Sequence, residues 1–561
     1  MPVLPEGISL TTSARGGRGI AADRRFQPGD TIAVFNDDSD SDSDNASSST
    51  TIAISDSQHL GQTCSWCLSS SSSLGPSTTT TTTVLRACTG CRTAAYCSAA
   101  CQRADWRRGA HRAECQTFRR VRGEGRDGAG LPTPVRALVQ VLLRPGLRAA
   151  VAGELEGHVD AFRRDRPAVW RDMEVQAMGA LHYAGMETTP RTLAGAIEIL
   201  CKLQVNSFNR LDADVGQTGL FLNPALAMVN HSCAPNAFVQ FVGRKAVLHA
   251  NQEIKKDEEI FISYIEPMPH RAHRQESLKR RYHFDCSCPR CEDDLDVYQL
   301  CMKYPHLELN SFSLVPDLDR LRDPPISRFL HSDETLKQVV RDIYPTCSQP
   351  LQDQTPEATV KELRRRWRAC EPLWKSEMYA VDPISQVLTE ANIYFSEHGN
   401  VMYSVVISCF MALHCEPFRF PMPFAPLRVK GLFMIAKLLA NITPTTMNQE
   451  AHGATGPIAA KISQVLSKVD QATMCQVVAS LVVHYGPAAH SAEWQVYGQA
   501  NDMLSDIASL PGRELENYTV KAFLTNPKGV EEARFFESAI LNPIRELSKL
   551  APEVMVSEFG S

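Results

Sequence analysis

The sequence predicts a multidomain α+β protein, β-rich and metal-stapled in its first half and all-helical beyond about residue 295. Three observations carry that prediction. Seven cysteines crowd between Cys64 and Cys115, and three more stand at Cys286, Cys288 and Cys291. Short β-prone runs, Phe238 to Val242 and Lys245 to His249, are separated only by Gly243 and Arg244, a hairpin signal, and a third run covers Ile260 to Tyr264. Apolar residues recur at helical spacing from Val135 to Leu203, and again from Leu295 onward, most clearly over Met402 to Leu413 and Val429 to Leu439.

With 561 residues and 43% hydrophobic content, the chain can bury several cores. The formal net charge of −5 is small for this length and argues for neither a nucleic-acid nor a membrane partner on overall balance. No charged start followed by an apolar run opens the sequence, and Lys430 and Lys437 interrupt the most apolar late stretch, so a soluble protein of the nucleus or cytoplasm is expected. In such reducing compartments eighteen cysteines read as thiolate ligands and buried thiols rather than disulfides.

Two runs add nothing to a core: the Asp/Ser stretch from Asp37 to Thr51 and the Ser/Thr stretch from Ser69 to Thr83. Gly123 to Pro134 reads as a linker. Between them, Cys64 with Cys67, Cys88 with Cys91, Cys97 with Cys101, and His111 with Cys115 form four pairs spaced so that both members reach one tetrahedral ion. Eight ligands make two zinc sites, and bound metal supplies the folding free energy that so short a segment lacks.

Tyr96-Cys97-Ser98, Cys101-Gln102, Asp105-Trp106 and His111 to Cys115 resemble the MYND zinc finger, a peptide-binding module. That resemblance implies interleaved pairing, with Cys64, Cys67, Cys97 and Cys101 on one ion and Cys88, Cys91, His111 and Cys115 on the other. Arg103, Arg107, Arg108, Arg112, Arg119 and Arg120 make the region basic; a solvated face explains them as well as a weakly supported nucleic-acid partner does.

Farther on, Asn230-His231-Ser232-Cys233 with Pro235-Asn236, then Glu259 to Tyr264, then Tyr282-x-Phe284-x-Cys286-x-Cys288-x-x-Cys291 are similar, in order and spacing, to the SET methyltransferase domain. Gly17-Arg18-Gly19-Ile20 and Phe26 to Ile32 look like its first strands, so the zinc module would interrupt the domain, as in SET-and-MYND lysine methyltransferases. The expected order is an N-terminal SET segment with an acidic insert (1–63), the MYND finger (64–115), a helical insert (131–205), the core SET region (206–267), a post-SET zinc segment (268–294) and a helical C-terminal domain (295–561).

This resemblance implies protein-lysine N-methylation with S-adenosylmethionine, histone and non-histone substrates both being open. It implies that Arg18, Gly19, His158, Asn230, His231, Tyr264, Tyr282 and Phe284 bind the cofactor, and that Tyr264, Phe208 and Tyr282 serve the lysine channel. Cys233 would join Cys286, Cys288 and Cys291 in a third structural zinc site. Gly16 stands where family members often carry lysine. The competing readings are a catalytically idle scaffold that recruits partners through the zinc module and a zinc-dependent nucleic-acid binder. Lys279-Arg280-Arg281 reads as a basic helix, with an import signal as the alternative.

Overall fold

The computed structural model describes residues 3–13, 16–36, 50–69, 84–107, 110–125, 131–212, 216–303, 333–347, 355–442 and 457–560, with positions 330, 349 and 351 besides. The chain parts into two compact units, residues 1–262 with 277–285, and residues 263–276 with 286–561.

In the first unit, strands from both sides of the cysteine-rich stretch pair with one another. Strands β1 (Ile8–Thr12) and β2 (Arg18–Ala22) form an antiparallel pair. Strand β3 (Thr31–Phe35) lies antiparallel to β11 (Lys245–Ala250), which forms the expected hairpin with β10 (Ala237–Val242). Gly243, at φ +54°, supplies the left-handed backbone its two-residue turn requires. Strand β4 (Ile52–Ser55) pairs with β8 (Gly216–Leu222), which also pairs with β7 (Phe208–Asp212). The short strands β9 (Asn230–His231) and β12 (Phe261–Ile262) run parallel. The small ladder of β5 (Arg86–Ala87) and β6 (Ala95–Tyr96) belongs to the cysteine-rich stretch, with helices α1 (Ala99–Arg107) and α2 (His111–Gly123) after it.

Five helices follow: α3 (Thr133–Leu143), α4 (Pro145–Glu154), α5 (Val159–Asp165), α6 (Pro167–Ala184) and α7 (Pro190–Asn206). Their ends are written locally. Gly185 closes α6 at φ +74°, and Thr189 with Thr192 forms a reciprocal capping box that opens α7 before Pro190. Phe118 of α2 and Cys64, Cys88, Cys91 and Cys115 share one apolar core with Leu138, Leu181 and Leu200 of this helical group.

Several boundaries differ from expectation. The acidic run was drawn to Thr51, yet Thr51 is buried, its hydroxyl accepting from Asn223 (2.9 Å) and its carbonyl from Arg144 (3.1 Å), and β4 begins one residue later. Residues 37–49 and 70–83 lie outside the described residues, as does Arg108. The linker drawn over Gly123 to Pro134 is shorter, because α2 reaches Gly123 and α3 starts at Thr133. The Phe26 to Ile32 run is a bridge from Phe26 to Ile254 and a turn at Gly29 (φ +87°), the strand beginning only at Thr31. Likewise the Ile260 to Tyr264 run forms a ladder only at Phe261 and Ile262: the Ser263 hydroxyl donates to the Ile265 carbonyl (2.8 Å) and turns the chain away.

In the second unit, helices dominate. The helix Val401–His414 is capped by Asn400, whose side chain accepts from the Tyr403 amide (3.2 Å), and it buries every residue from Met402 to Leu413. Helix Pro426–Asn441 follows the proline cluster, and helix Gln471–Ala489 packs against it. Among the described residues, no helix is long and apolar enough to cross a membrane.

Candidate active site and metal centres

The metal centres follow directly from ligand geometry. Cys64, Cys67, Cys97 and Cys101 present their sulfurs within 4.8 Å of one another, as do the ligand atoms of Cys88, Cys91, His111 and Cys115. A tetrahedral zinc with Zn–S near 2.3 Å sets sulfurs about 3.8 Å apart. Cys67 and Cys97 stand at 3.7 Å, Cys97 and Cys101 at 3.5 Å, and the Cys91 sulfur lies 3.9 Å from His111 Nε2. The donor sets therefore fit zinc. Burial pushes the His111 imidazole down toward its neutral form, the form that ligates, and the contact with Cys64 pulls Cys67 down to about 4 while Cys64 is driven up.

Around these ligands the Tyr96 hydroxyl donates to buried Asp105 (2.9 Å), whose carboxyl is raised to about 7 by burial. Arg122 donates to the Cys91 carbonyl (3.0 Å) and Arg120 to the Tyr183 carbonyl (2.8 Å). Part of the basic character of this stretch is thus spent on structure. Of the post-core cysteines, Cys286, Cys288 and Cys291 are buried in the second unit; Cys233 is buried in the first, its sulfur 3.3 Å from His231 Nε2.

Arg18, His158, Asn230, His231 and Phe284, predicted cofactor residues of the first unit, are joined in a ring, partly by contacts and partly by neighbouring positions along the chain. The Arg18 guanidinium donates to the Glu154 carbonyl (2.6 Å), where the loop to His158 begins. His158, held at φ +48°, faces the His283 ring at 5.3 Å, and Phe162 meets the same ring edge-on at 4.5 Å. Next in sequence, Phe284 lies 5.9 Å from the His231 ring. Asn230 then closes the ring of residues, its amide nitrogen donating to the Arg18 carbonyl (2.9 Å) and to Glu259 Oε1 (2.8 Å).

Each member has a local reason for its place. Strand β2 fixes Arg18 and Gly19, and a Cβ on Gly19 would fall 2.5 Å from Glu259 Oε1 and 3.1 Å from Asn230 Nδ2, so a larger residue would have to displace the Glu259 and Asn230 side chains. The loop 155–158 and the end of α4 before it are pinned to α7: Asn206 donates to the Glu156 carbonyl (2.7 Å) and Lys202 to the Ala152 carbonyl (2.5 Å). Helix α8 (Arg271–Tyr282) delivers Tyr282, 8% exposed, whose phenol is raised by burial and so stays protonated. The helix also holds Lys279, Arg280 and Arg281; Arg281 donates to the Ser207 carbonyl (3.2 Å). Phe208 is half-buried, 6.3 Å from the Phe241 ring, while Tyr264 is half-buried in the bend after β12 and belongs to the second unit.

Two residues went unassigned in the sequence reading. Glu259 accepts from Ser13 (3.0 Å) as well as Asn230. Asn236 binds both sides of the β12 segment, donating to the Glu259 carbonyl (2.9 Å) and accepting from the Phe261 amide (2.7 Å). The available signal was their place in the short motifs: Asn236 ends Pro235-Asn236 and Glu259 opens the run that ends at Tyr264.

Residues 17–265 match the family model of the SET domain. The chain is 32% identical over 269 residues to SET domain and MYND-type zinc finger protein 6 of Schizosaccharomyces pombe, covering 48% of this chain and 51% of that protein. It is 31% identical to the zebrafish (Danio rerio) N-lysine methyltransferase SMYD2-A over 37% of this chain and 47% of the relative. A longer match, 24% identical, joins 72% of the chain to 80% of N-lysine methyltransferase SMYD2-A of Xenopus laevis. The chain spans about half the length of the first two relatives. The two interleaved ligand sets lie inside the stretch that matches the SET model, and SET domain and MYND-type zinc finger protein 6 is among the proteins this chain is similar to.

Proposed function

We propose that this chain is an S-adenosylmethionine-dependent protein-lysine N-methyltransferase. The observation that carries the reading is the ring of residues through Arg18, His158, His283, Phe284, His231 and Asn230, which gathers a buried glycine strand, aromatic rings and polar groups in one place. Relatives named as N-lysine and histone-lysine methyltransferases support the same class.

S-adenosylmethionine would supply an electrophilic methyl group and a positive charge. Arg18, Gly19, His158, Asn230, His231, Tyr282 and Phe284 would hold it. Both amide hydrogens of Asn230 are spent on Arg18 and Glu259, which leaves its carbonyl oxygen to accept from an ammonium group. Gly19 permits close backbone approach on the same strand.

The chain's remaining task is to present a neutral amine. At pH 7.4 a lysine of pKa about 10.4 is neutral about one time in a thousand, a cost of about 4 kcal/mol. By the sequence resemblance, Phe208, Tyr264 and Tyr282 serve an aromatic lysine channel, which would lower that pKa by desolvation, so that no strong protein base is needed and water takes the proton. Orientation of the amine within the channel contributes up to roughly 7–11 kcal/mol. In this reading Tyr264 aligns the amine through its hydroxyl.

Cys233, by the sequence resemblance, supplies the fourth thiolate for Cys286, Cys288 and Cys291, making three structural zinc ions in all. Peptide partners of the zinc module belong to the proposal too, supported by Trp106, 45% exposed on α1. The proposed setting is the nucleus or cytoplasm, and the substrates are proteins with an exposed lysine.

The test is methyl transfer from labelled S-adenosylmethionine into a broad protein extract, with the modified residue read by mass spectrometry. Methylated lysines are expected. A purified, zinc-loaded chain that neither binds S-adenosylmethionine nor labels any protein removes the enzymatic reading and leaves the recruiting scaffold.

A further inference from the structure

The second unit buries two arginines almost completely. Arg274 is 2% exposed and Arg290 is 1% exposed, and they are the largest of the fully buried side chains. Both aim at one irregular segment. Arg290 Nη1 donates to the Pro267 carbonyl (2.5 Å), and Arg274 Nη1 to the Pro269 carbonyl (2.6 Å). These carbonyls sit three and five residues after Tyr264, in a stretch that belongs to no strand or helix and cannot satisfy its own backbone.

The other ends of the same guanidinium groups reach the cysteine knuckle. Arg274 Nη2 lies 3.6 Å from the Cys291 sulfur. Arg290 lies between Cys288 and Cys291 in sequence, and its Nε donates to the Leu295 carbonyl (3.3 Å) just past the knuckle. Gln275 adds a paired clamp, donating to the Cys286 carbonyl (2.7 Å) and accepting from the Cys286 amide (2.8 Å). Three or four thiolates around a divalent ion leave net negative charge, which buried guanidinium groups offset.

From this geometry we infer that Arg290 and Arg274 are positioning residues: they couple the metal-bound Cys286–Cys291 knuckle to the Ser263–His270 segment and so fix where Tyr264 stands. The inference deepens the methyltransferase reading and rests on it for the role of Tyr264, while the coupling itself stands on the hydrogen bonds alone. A guanidinium suits the task because its rigid fork can hold a carbonyl on one side and another acceptor on the other, whereas a lysine ammonium at the same place keeps the charge but not the fork.

The test is hydrogen exchange of the peptide covering residues 263–270, read by mass spectrometry on the full zinc-loaded chain, with bound zinc counted in the same samples. In Arg290→Ala the amides of this segment should exchange roughly tenfold or more faster, the effect of losing one charge-assisted hydrogen bond, while zinc content stays at the wild-type value. Arg290→Lys should fall between the two, and is read beside Arg290→Ala because it keeps the charge in the same space. In the methyl-transfer assay kcat should fall with little change in KM for S-adenosylmethionine, and Arg290→Lys should restore part of it. Unchanged exchange at 263–270 in both variants overturns the inference, whatever the activity. Faster exchange in a chain whose wild type transfers no methyl group keeps the coupling and removes the functional reading instead.

Discussion

The cysteine-rich stretch and the helix Val401–His414 solve the same problem in opposite ways. Helix α1 buries a single residue, Asp105, and that residue is polar; helix Val401–His414 buries every side chain from Met402 to Leu413. The first presents two ligand sets through which bound metal would crosslink residues far apart in sequence, while the second is ordered by apolar contact on all faces. Stability in the two regions should therefore answer to different perturbations.

The largest expected effect is metal removal. Structural zinc sites contribute apparent folding free energies of about 10–16 kcal/mol at neutral pH, so a chelator should release fast exchange across residues 84–125. Helices from 355 to 442 should keep their protection. Equal loss in both regions would mean that the contrast between metal and apolar ordering is false.

A core truncation should do the reverse. Phe410 is 4% exposed and lies 5.3 Å from the Trp374 ring and 5.0 Å from Tyr379. Phe410→Ala should cost about 3–5 kcal/mol in denaturant unfolding of the helical region and leave zinc stoichiometry untouched.

The smallest effect is confined to one carboxyl. Glu416 Oε2 is buried, and the group packs over Gly431, where a Cβ would fall 2.5 Å from Oε1. Burial raises its pKa from 4.5 to about 8, partly opposed by Arg428 and Arg419. Because the folded value lies above the unfolded one, its contribution is whole below about pH 4 and is lost as pH rises through about 8. Glu416→Gln should thus gain about 1–3 kcal/mol on the wild type at pH 9 and nothing at pH 5, read from urea midpoints.

Much of the site was legible because it is written in ligand spacing and short motifs. The pairs from Cys64 to Cys115 state their chemistry in residue type and separation, and Gly243-Arg244 states a turn. Strand β4 was hidden by the Asp/Ser run beside it, since composition averages over a boundary that a single buried threonine sets. The roles of Glu259 and Asn236 were hidden for another reason: each binds partners from a different part of the chain, Ser13 and Asn230 for one, the β12 backbone for the other. The arginine clamp on Pro267 and Pro269 was equally unreadable, because a buried arginine carries no periodicity that marks its acceptor.

The proposed methyl transfer turns on Tyr264, which the sequence motif selects and which lies at the bend following β12. The most direct measurement is the rate of methyl transfer to lysine by Tyr264→Phe, with zinc content and S-adenosylmethionine affinity measured on the same protein. A loss of roughly a hundredfold in kcat with both controls unchanged is predicted, the scale of removing one oriented donor from a reacting centre. A variant that transfers methyl groups at the wild-type rate would contradict the assignment.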